Sequence, residues 1–411
     1  MGWATELSDT LSRDVTRRLG KGVSVAIDRM RLLTYLPQLA AIGGVELHVL
    51  QLMRELTRRG FQVDLRYTTD GELHGEFRSY CASVAQGPSI RYGASPLHDL
   101  RRIGPGAWSA ARKRPDVVYV NNFSELGWAT GVKALSRAPI VCYLHEFAPF
   151  RSASISMLGS QVHRFLVASD FMRTTWIRHG LNPERVETIP NGIDLSDYPR
   201  GTESDRLRSR RSLGLPPDAY VALYLGRLDT EKGVEVLLDA WRELGASPSE
   251  ARLLLVGSPV RNADPAAYLG QLKDRAPAGC HWLPMRPDVL EVIHAADVLV
   301  LPSVWDEPFG RVLIETMATG RPVVASDCGG IPEILDGPLA QFLFPRGDAV
   351  ALASRLRLLS RWRDERPELA DQCFRHVAGR YTLEQTASRT EAVLRAAGGA
   401  AAAAEAPHSR P

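Results

Sequence analysis

The sequence predicts an α/β protein with two domains, each built on a parallel sheet. Short apolar runs such as 220–225 and 297–301 alternate with helical patterns, as is typical of parallel strands covered on both faces. After the second run come a loop, a helix ending at Gly320 and another strand, which together form one strand–helix–strand unit. At 411 residues the chain suits two domains of about 200 residues each.

The first residues form a segment of their own. In residues 1–22 large apolar side chains recur every four positions, which predicts an amphipathic helix at the start of a 1–29 extension. We expect it to pack on the following domain or on a dimer mate. Contact with a membrane surface is the less favoured alternative, because three acidic residues share the segment.

Two carboxylates, Glu307 and Glu315, bracket a Pro-Phe-Gly turn and the start of an apolar helix. Glu307 falls in the loop at the carboxyl end of a strand, where ligands of parallel sheets bind, beside free N–H groups at a helix start. Glu315 lies more than two turns into the helix among apolar residues, where a carboxylate is costly unless it is hydrogen-bonded. A ribose or hexose would supply such bonds; the alternative is that Glu315 caps a neighbouring loop.

A second loop, 226–233, joins the strand 220–225 to a helix and carries Arg227 and Lys232. Free N–H groups, the helix dipole and two cations make a strong site for a diphosphate. An ordinary solvated loop would be the alternative for this motif alone. The carboxylate pair about 75 residues later in the same predicted domain favours the functional interpretation.

These motifs resemble those of glycosyltransferase family 4, whose members are retaining enzymes of the GT-B fold. The resemblance covers roughly Met30 to Ala397. In chain order, the further matches are Ile42-Gly43-Gly44-Val45-Glu46, His145-Glu146-Phe147-Ala148-Pro149, Ile189-Pro190-Asn191-Gly192-Ile193-Asp194 and Ala325-Ser326-Asp327-Cys328-Gly329-Gly330-Ile331-Pro332-Glu333. It implies two Rossmann-like domains that face each other across a cleft. The acceptor domain would span 30–200 with a crossover helix at about 381–397. The nucleotide-sugar domain would span 213–380, after a charged linker at about 197–212 and before a disordered tail at 398–411.

The same resemblance implies a role for each site residue. Arg227 and Lys232 would stabilise the leaving nucleoside diphosphate, so that no metal and no other cofactor is needed. Glu315 would bind the nucleotide ribose, and Glu307 with the N–H groups of Phe309 and Gly310 would hold the donor sugar. Gly43 and Gly44 would let the backbone approach the phosphates or the acceptor.

His145 would contact the donor sugar and support the developing oxocarbenium charge through its backbone carbonyl. Most relatives have His-Asp at this place, whereas this chain has His145-Glu146. The loop before Phe309 also carries a proline where many relatives have glycine, which stiffens it.

Composition excludes several classes of protein. Five scattered cysteines favour a reducing cytoplasm over a disulfide scaffold, and their spacing is not that of metal ligands. Residues 1–200 hold 25 Lys and Arg against 19 Asp and Glu, but this basic excess does not make membrane contact the favoured interpretation. The sequence lacks the interleaved aromatic and basic residues that would indicate nucleic-acid binding.

The sequence therefore predicts transfer of a hexose-type sugar from a nucleoside diphosphate sugar to a hydroxyl or thiol acceptor, which we expect to be a small soluble metabolite. Two alternatives stay open at this point. A GT-B sugar-nucleotide epimerase would turn over the donor without an acceptor, and a non-catalytic GT-B subunit would bind ligands without turnover.

Overall fold

The computed structural model describes residues 29–40, 43–89, 96–147, 152–260, 262–286 and 288–405. Most of the extension predicted at 1–29, including its helix at 1–22, lies outside this part of the chain. Within the described residues the elements fall into two parallel sheets, one before residue 190 and one after residue 219.

The strands of the first sheet are short, and several are buried along their whole length. They are β1 (Arg31–Gln38), β2 (Gln62–Thr69), β3 (Ser83–Gln86), β4 (Val117–Val120), β5 (Ile140–Leu144), β6 (Val162–Val167) and β7 (Val186–Thr188). The helices between them are α1 (Gly44–Arg58), α2 (His74–Tyr80), α3 (Pro96–Ala111), α4 (Leu126–Ser136), α5 (Ser152–Gly159) and α6 (Asp170–Arg178). The strands pair in the order β3-β2-β1-β4-β5-β6-β7, all parallel.

The second half repeats this plan. Helix α7 (Glu203–Ser212) precedes the strands, which are β8 (Tyr220–Leu225), β9 (Ala251–Val256), β10 (Cys280–Leu283), β11 (Val298–Leu301), β12 (Val323–Asp327) and β13 (Leu343–Pro345). The helices that follow are α8 (Val234–Leu244), α9 (Pro265–Arg275), α10 (Val289–Ala295), α11 (Arg311–Ala318), α12 (Ile331–Ile334), α13 (Ala349–Leu358), α14 (Trp362–Glu365), α15 (Glu368–Arg380) and α16 (Leu383–Glu405). The strand order is β10-β9-β8-β11-β12-β13, again all parallel.

In each sheet the chain adds strands first on one side of the initial strand and then on the other. The change of side falls between the neighbouring strands β1 and β4 in the first sheet and β8 and β11 in the second. The loops that leave two such neighbouring strands diverge to opposite sides of the sheet and open a crevice at its carboxyl edge. The loops after β8 and β11 are those that carry the predicted site residues. The parallel sheets and interleaved helices confirm the predicted α/β class.

The chain crosses between the sheets twice, and the two crossings lie side by side. Ile193 and Thr382 form an isolated parallel bridge, flanked by backbone hydrogen bonds from Ile193 to Tyr381 and from Leu383 to Ile193. Gly192 packs so closely on this second crossing that a Cβ would come within 2.2 Å of the carbonyl oxygen of Thr382. Helix α16 then returns to the first sheet and packs on α1, β4, β5 and β6.

Two segments predicted as a charged linker and a disordered tail contain helices, and for the tail this corrects the prediction. Residues 203–212 of the predicted charged linker form helix α7, which begins with a reciprocal capping box between Thr202 and Asp205. Its polar sequence lacks the apolar stripe that usually indicates a helix. The capping box and the buried Arg210 stabilise the helix in its place. The predicted disordered tail is helical as far as Glu405, since alanine has the highest helix propensity and Gly398 packs on Met30 and Val117. Residues 406–411 lie outside the described residues.

A buried ionic network holds α7 on the second sheet. Asp297, only 6% exposed, accepts hydrogen bonds from Nη2 of Arg210 (2.6 Å), from the N–H of Val221 (2.8 Å) and from Nε of Arg363 (2.9 Å). The remaining donors of Arg210 bind the carbonyls of Ala295, Pro217 and Ala219. Because every charge in this network is paired, removing one partner leaves another charge uncompensated in the interior.

We therefore expect Asp297→Asn to destabilise the protein by about 3–5 kcal/mol, which is the usual cost of breaking a buried ion pair. The matched control is Asp239→Asn, because Asp239 pairs with Arg242 and Arg275 on an exposed surface. That change should cost less than about 1 kcal/mol. Urea unfolding followed by circular dichroism measures both, and equal midpoints for the two variants would contradict the expectation.

Candidate active site

The loop after β8 holds the two predicted phosphate-binding cations. The guanidinium of Arg227 lies 2.6 Å from the carboxylate of Asp229, which is buried and also accepts the N–H of Val260 at 2.9 Å. A weaker ion pair joins Arg227 to Glu231 at 3.9 Å. Asp229 therefore fixes the direction in which Arg227 presents its charge.

Lys232 is positioned by the glycine that follows it. Gly233 has a left-handed backbone (φ +66°), and a Cβ there would lie 2.0 Å from the carbonyl oxygen of Pro302. Only glycine permits this approach, which brings the loop after β8 against the loop after β11. The N–H of Val304 completes the contact by donating to the carbonyl of Glu231 at 3.0 Å.

As a result Lys232 and Glu307 form a buried ion pair, with Nζ 2.6 Å from Oε1. The same oxygen accepts hydrogen bonds from Oγ of Ser303 (2.5 Å) and Nε1 of Trp305 (3.1 Å). Burial alone would raise the pKa of Glu307, but the Lys232 ammonium and these two donors outweigh it and lower the pKa. Glu307 is therefore ionised at neutral pH.

The backbone of Glu307 is held from the other side by the loop after β12. Its carbonyl accepts the N–H of Gly330 at 2.7 Å, and a Cβ on Gly329 (φ +59°) would come within 2.2 Å of that carbonyl oxygen. Gly329 and Gly330, which belong to the match at 325–333, thus hold the backbone of Glu307 in place.

Trp305 connects this cluster with the N-terminal domain. Its ring centroid lies 5.3 Å from Nζ of Lys232, and Phe147 of the other domain meets the ring edge-on at 6.1 Å. A further contact joins the domains nearby, where Oγ of Ser169 donates to the carbonyl of Pro308 at 2.6 Å. The two sides of the cleft are therefore in contact around Glu307.

His145 lies directly after β5, buried against the ring of Tyr143 at 4.1 Å and beside His48 at 5.1 Å. Burial, and secondarily the charge of Arg311, lowers the pKa of His145 to about 3. The imidazole is therefore neutral at neutral pH. Its Nε2 has no hydrogen-bond partner among the described residues.

Glu315 makes a contact that the sequence reasoning did not foresee. Nε of Arg311, four residues earlier on α11, donates to Oε1 of Glu315 at 2.6 Å, and both side chains are about nine-tenths buried. Nη2 of the same arginine donates to Oε1 of Gln51 in the N-terminal domain, also at 2.6 Å. The spacing of four on a helix was the available signal for the Arg311–Glu315 pair.

The remaining predicted residues occupy two places. Gly44 begins α1 and lies against Arg311, since a Cβ there would approach Cδ of Arg311 to 3.3 Å; Gly43 precedes it in extended conformation. Phe309 is buried against Tyr381, so only its backbone is available to a ligand, and Gly310 (φ +112°) is the residue before α11. Asp229, Trp305, Arg311 and Gln51 are the neighbours that sequence reasoning missed.

Two further properties concern metals and membranes. Among the described residues, no three His, Cys, Asp or Glu side chains gather where they could hold a metal ion. Likewise, no helix in the described part of the chain combines the length and apolar character needed to cross a membrane.

Comparison with known proteins identifies the family. Residues 42–197 match the family model described as Glycosyltransferase Family 4, and residues 219–361 match the model described as Glycosyl transferases group 1. The two matches lie one on each half of the chain and together span most of it.

Curated relatives share this length and organisation. D-inositol 3-phosphate glycosyltransferase of Corynebacterium diphtheriae is 28% identical over 386 residues, which cover 85% of this chain and 89% of that protein. Phosphatidyl-myo-inositol mannosyltransferase of Mycobacterium leprae is 28% identical and covers 78% of this chain and 84% of its own length.

Solved structures show the same fold. HepE of Anabaena, in complex with UDP and glucose, superposes with a TM-score of 0.77 at 22% identity, over 89% of this chain and 99% of that chain. With the two parallel sheets and their interleaved helices, this likeness confirms the predicted GT-B architecture. The chain thus belongs to glycosyltransferase family 4 and is a glycosyltransferase of the GT-B fold.

Proposed function

We propose that this glycosyltransferase moves a hexose from a nucleoside diphosphate sugar to a hydroxyl or thiol of a small soluble acceptor, with retention of anomeric configuration and without a metal. The observation that carries the proposal is the Lys232–Glu307 pair beside Arg227, at the crevice between β8 and β11. It combines cations for a leaving diphosphate with an ionised carboxylate for a sugar.

The cations are suited to a leaving diphosphate. Nζ of Lys232 has three hydrogens and gives only one to Glu307, so the same ammonium can donate to a phosphate oxygen without breaking the pair. Arg227 is fixed by Asp229, and little reorganisation is needed when charge develops on the leaving group. Two fixed cations supply the charge that a metal would otherwise provide, which supports metal independence.

The carboxylate is suited to holding a sugar and poorly suited to attacking it. Oε1 of Glu307 already accepts three hydrogen bonds, whereas Oε2 makes none among the described residues and is available to a sugar hydroxyl. A carboxylate of lowered pKa, bound to an ammonium, is a weak nucleophile. This supports a single front-side displacement over a covalent glycosyl-enzyme.

In that step the acceptor oxygen or sulfur forms a bond to the anomeric carbon, and the bond from that carbon to the phosphate oxygen breaks. The acceptor proton passes to the leaving phosphate, so atoms and charges balance. Positive charge builds on the sugar ring during the exchange. A neutral His145 does not repel this charge, and its backbone carbonyl can face it.

The relatives indicate where substrate screening should begin. HepE binds UDP and glucose, and two of the relatives are named for inositol-containing acceptors. We therefore propose UDP-hexoses as the first donors and hydroxylated cyclitols, free or phosphorylated, as the first acceptors.

The donor prediction is tested by thermal unfolding with UDP-, GDP-, ADP- and TDP-sugars. A ligand present at a hundredfold excess over its Kd stabilises the folded state by about 2.7 kcal/mol, so one nucleotide family should raise the midpoint by several degrees. Arg227→Ala should abolish the shift, whereas Arg275→Ala, a change to an exposed arginine of the same domain, should retain it. A shift that survives in Arg227→Ala would remove Arg227 from the donor site.

The stereochemical prediction concerns the product. Proton NMR of the reaction mixture should show the same anomeric coupling constant in the new glycoside as in the donor sugar. A product of inverted configuration would refute the front-side mechanism. Turnover of the donor alone to a different sugar nucleotide would instead indicate an epimerase.

Metal independence is tested by dialysis against EDTA. We expect kcat after dialysis to stay within about twofold of its value before, because Lys232 and Arg227 provide the charge. Lys232→Ala should lower kcat by about 100- to 1,000-fold, as removal of one transition-state donor does. If EDTA abolishes activity and Mg²⁺ or Mn²⁺ restores it, the two cations are not sufficient.

A further inference from the structure

Arg311 is the buried residue whose contacts the proposed function leaves unexplained. It is the first residue of α11, 8% exposed, in the cleft between the domains. Nε binds Glu315 in its own domain and Nη2 binds Gln51 across the cleft, each at 2.6 Å. Nη1 makes no hydrogen bond of good geometry among the described residues, but the side chain of Tyr198, in the crossing segment, interacts with both Arg311 and Glu315.

Two other buried arginines, Arg210 and Arg321, are bound differently. In both of them all three guanidinium nitrogens donate to acceptors of the C-terminal domain, most of them backbone carbonyls. Such saturation is what a purely structural buried guanidinium requires. Arg311 instead divides its donors between Glu315 of its own domain and Gln51 of the other domain, so its arrangement does not serve packing within one domain alone.

The contact across the cleft continues into the segment that joins the domains. Nε2 of Gln51 donates to Oδ2 of Asp197 at 2.9 Å, and Asp197 lies 3.9 Å from the guanidinium of Arg54 on the same helix as Gln51. The chain of contacts therefore runs from Glu315 through Arg311 and Gln51 to the crossing segment. An opening of the cleft has to break it at the Arg311–Gln51 bond, because that bond joins the two domains.

We propose that Arg311 is a positioning residue that ties the donor-site carboxylate of Glu315 to the N-terminal domain, so that binding of the donor and closing of the cleft stabilise each other. With the cleft closed, Gln51 holds the guanidinium and the guanidinium holds Glu315 in one orientation. With the cleft open, Arg311 loses one of its two anchors, and Glu315 is held less firmly for a ribose. By linkage, a ligand that needs the ordered Glu315 favours the closed state.

The inference rests on the proposed donor role of Glu315, and the variants are chosen to separate the two. Gln51→Leu removes the acceptor across the cleft, together with the Nε2 donor to Asp197, and leaves the Arg311–Glu315 pair intact. Arg311→Lys keeps a positive charge near Glu315 but lacks the fork that reaches two partners. Arg58→Gln is the matched control, because Arg58 lies on the same helix as Gln51, is exposed and forms a surface ion pair with Glu55.

Two measurements are made on the full chain, and neither needs the acceptor. Small-angle scattering without nucleotide should give a larger radius of gyration for Gln51→Leu and for Arg311→Lys than for the wild type and Arg58→Gln. Calorimetric titration with the nucleoside diphosphate that stabilises the wild type should show at least about 10-fold weaker binding to Gln51→Leu, since one hydrogen bond to a charged group is lost. The double variant should bind no more weakly than Arg311→Lys, because both changes break one link.

A role in stability alone would lower the unfolding midpoint while leaving the radius and the nucleotide affinity at their wild-type values, and that result would overturn the inference. Additive losses in the double variant would overturn it as well. If no nucleotide binds the wild type, the proposed function fails; the scattering comparison without ligand then still decides whether Arg311 and Gln51 hold the cleft closed.

Discussion

The candidate site depends on one buried ion pair, Lys232 with Glu307. Lys232 lies in the loop after β8, and Glu307 lies in the loop after β11. These two strands are neighbours at the crevice of the second sheet. A lysine or a glutamate alone at this depth would lose its charge or be excluded from the interior. Together they remain ionised, and they hold the two loops at a fixed separation. The glycines at 233 and 329 are needed because this separation leaves no room for a Cβ.

The same ion pair also bears on whether Glu307 would bind the donor sugar or react with it. Pairing with Lys232 lowers the basicity of Glu307, and in the proposed function this suits the carboxylate to accept hydrogen bonds from hydroxyl groups rather than to attack the sugar. The same pairing keeps the ammonium next to the place where a diphosphate would lie. Arg227 is fixed independently by Asp229. The arrangement therefore needs no movement of charge within the protein during transfer.

The sequence predicted the fold class and the family because both depend on local patterns. Apolar runs mark the parallel strands, and the residues of the site stand in fixed positions relative to strand ends. It did not predict what those residues contact. Gln51 and Arg311 are separated by 260 positions, and no local pattern indicates that they meet. Helix α7 was missed for a related reason, because its stability comes from a capping box and a buried arginine rather than from apolar periodicity.

The path of the last helix has a consequence for the order of folding during synthesis. Helix α16 follows the whole C-terminal domain in the chain, yet its residues Leu394 and Ala397 are fully buried within the core cluster that includes β1 and α1. The half of the protein that the ribosome makes first therefore keeps an apolar surface uncovered until the second half has been translated. The second half contains every element of its own sheet and can fold as it emerges. The domain made first is thus the last to be completed.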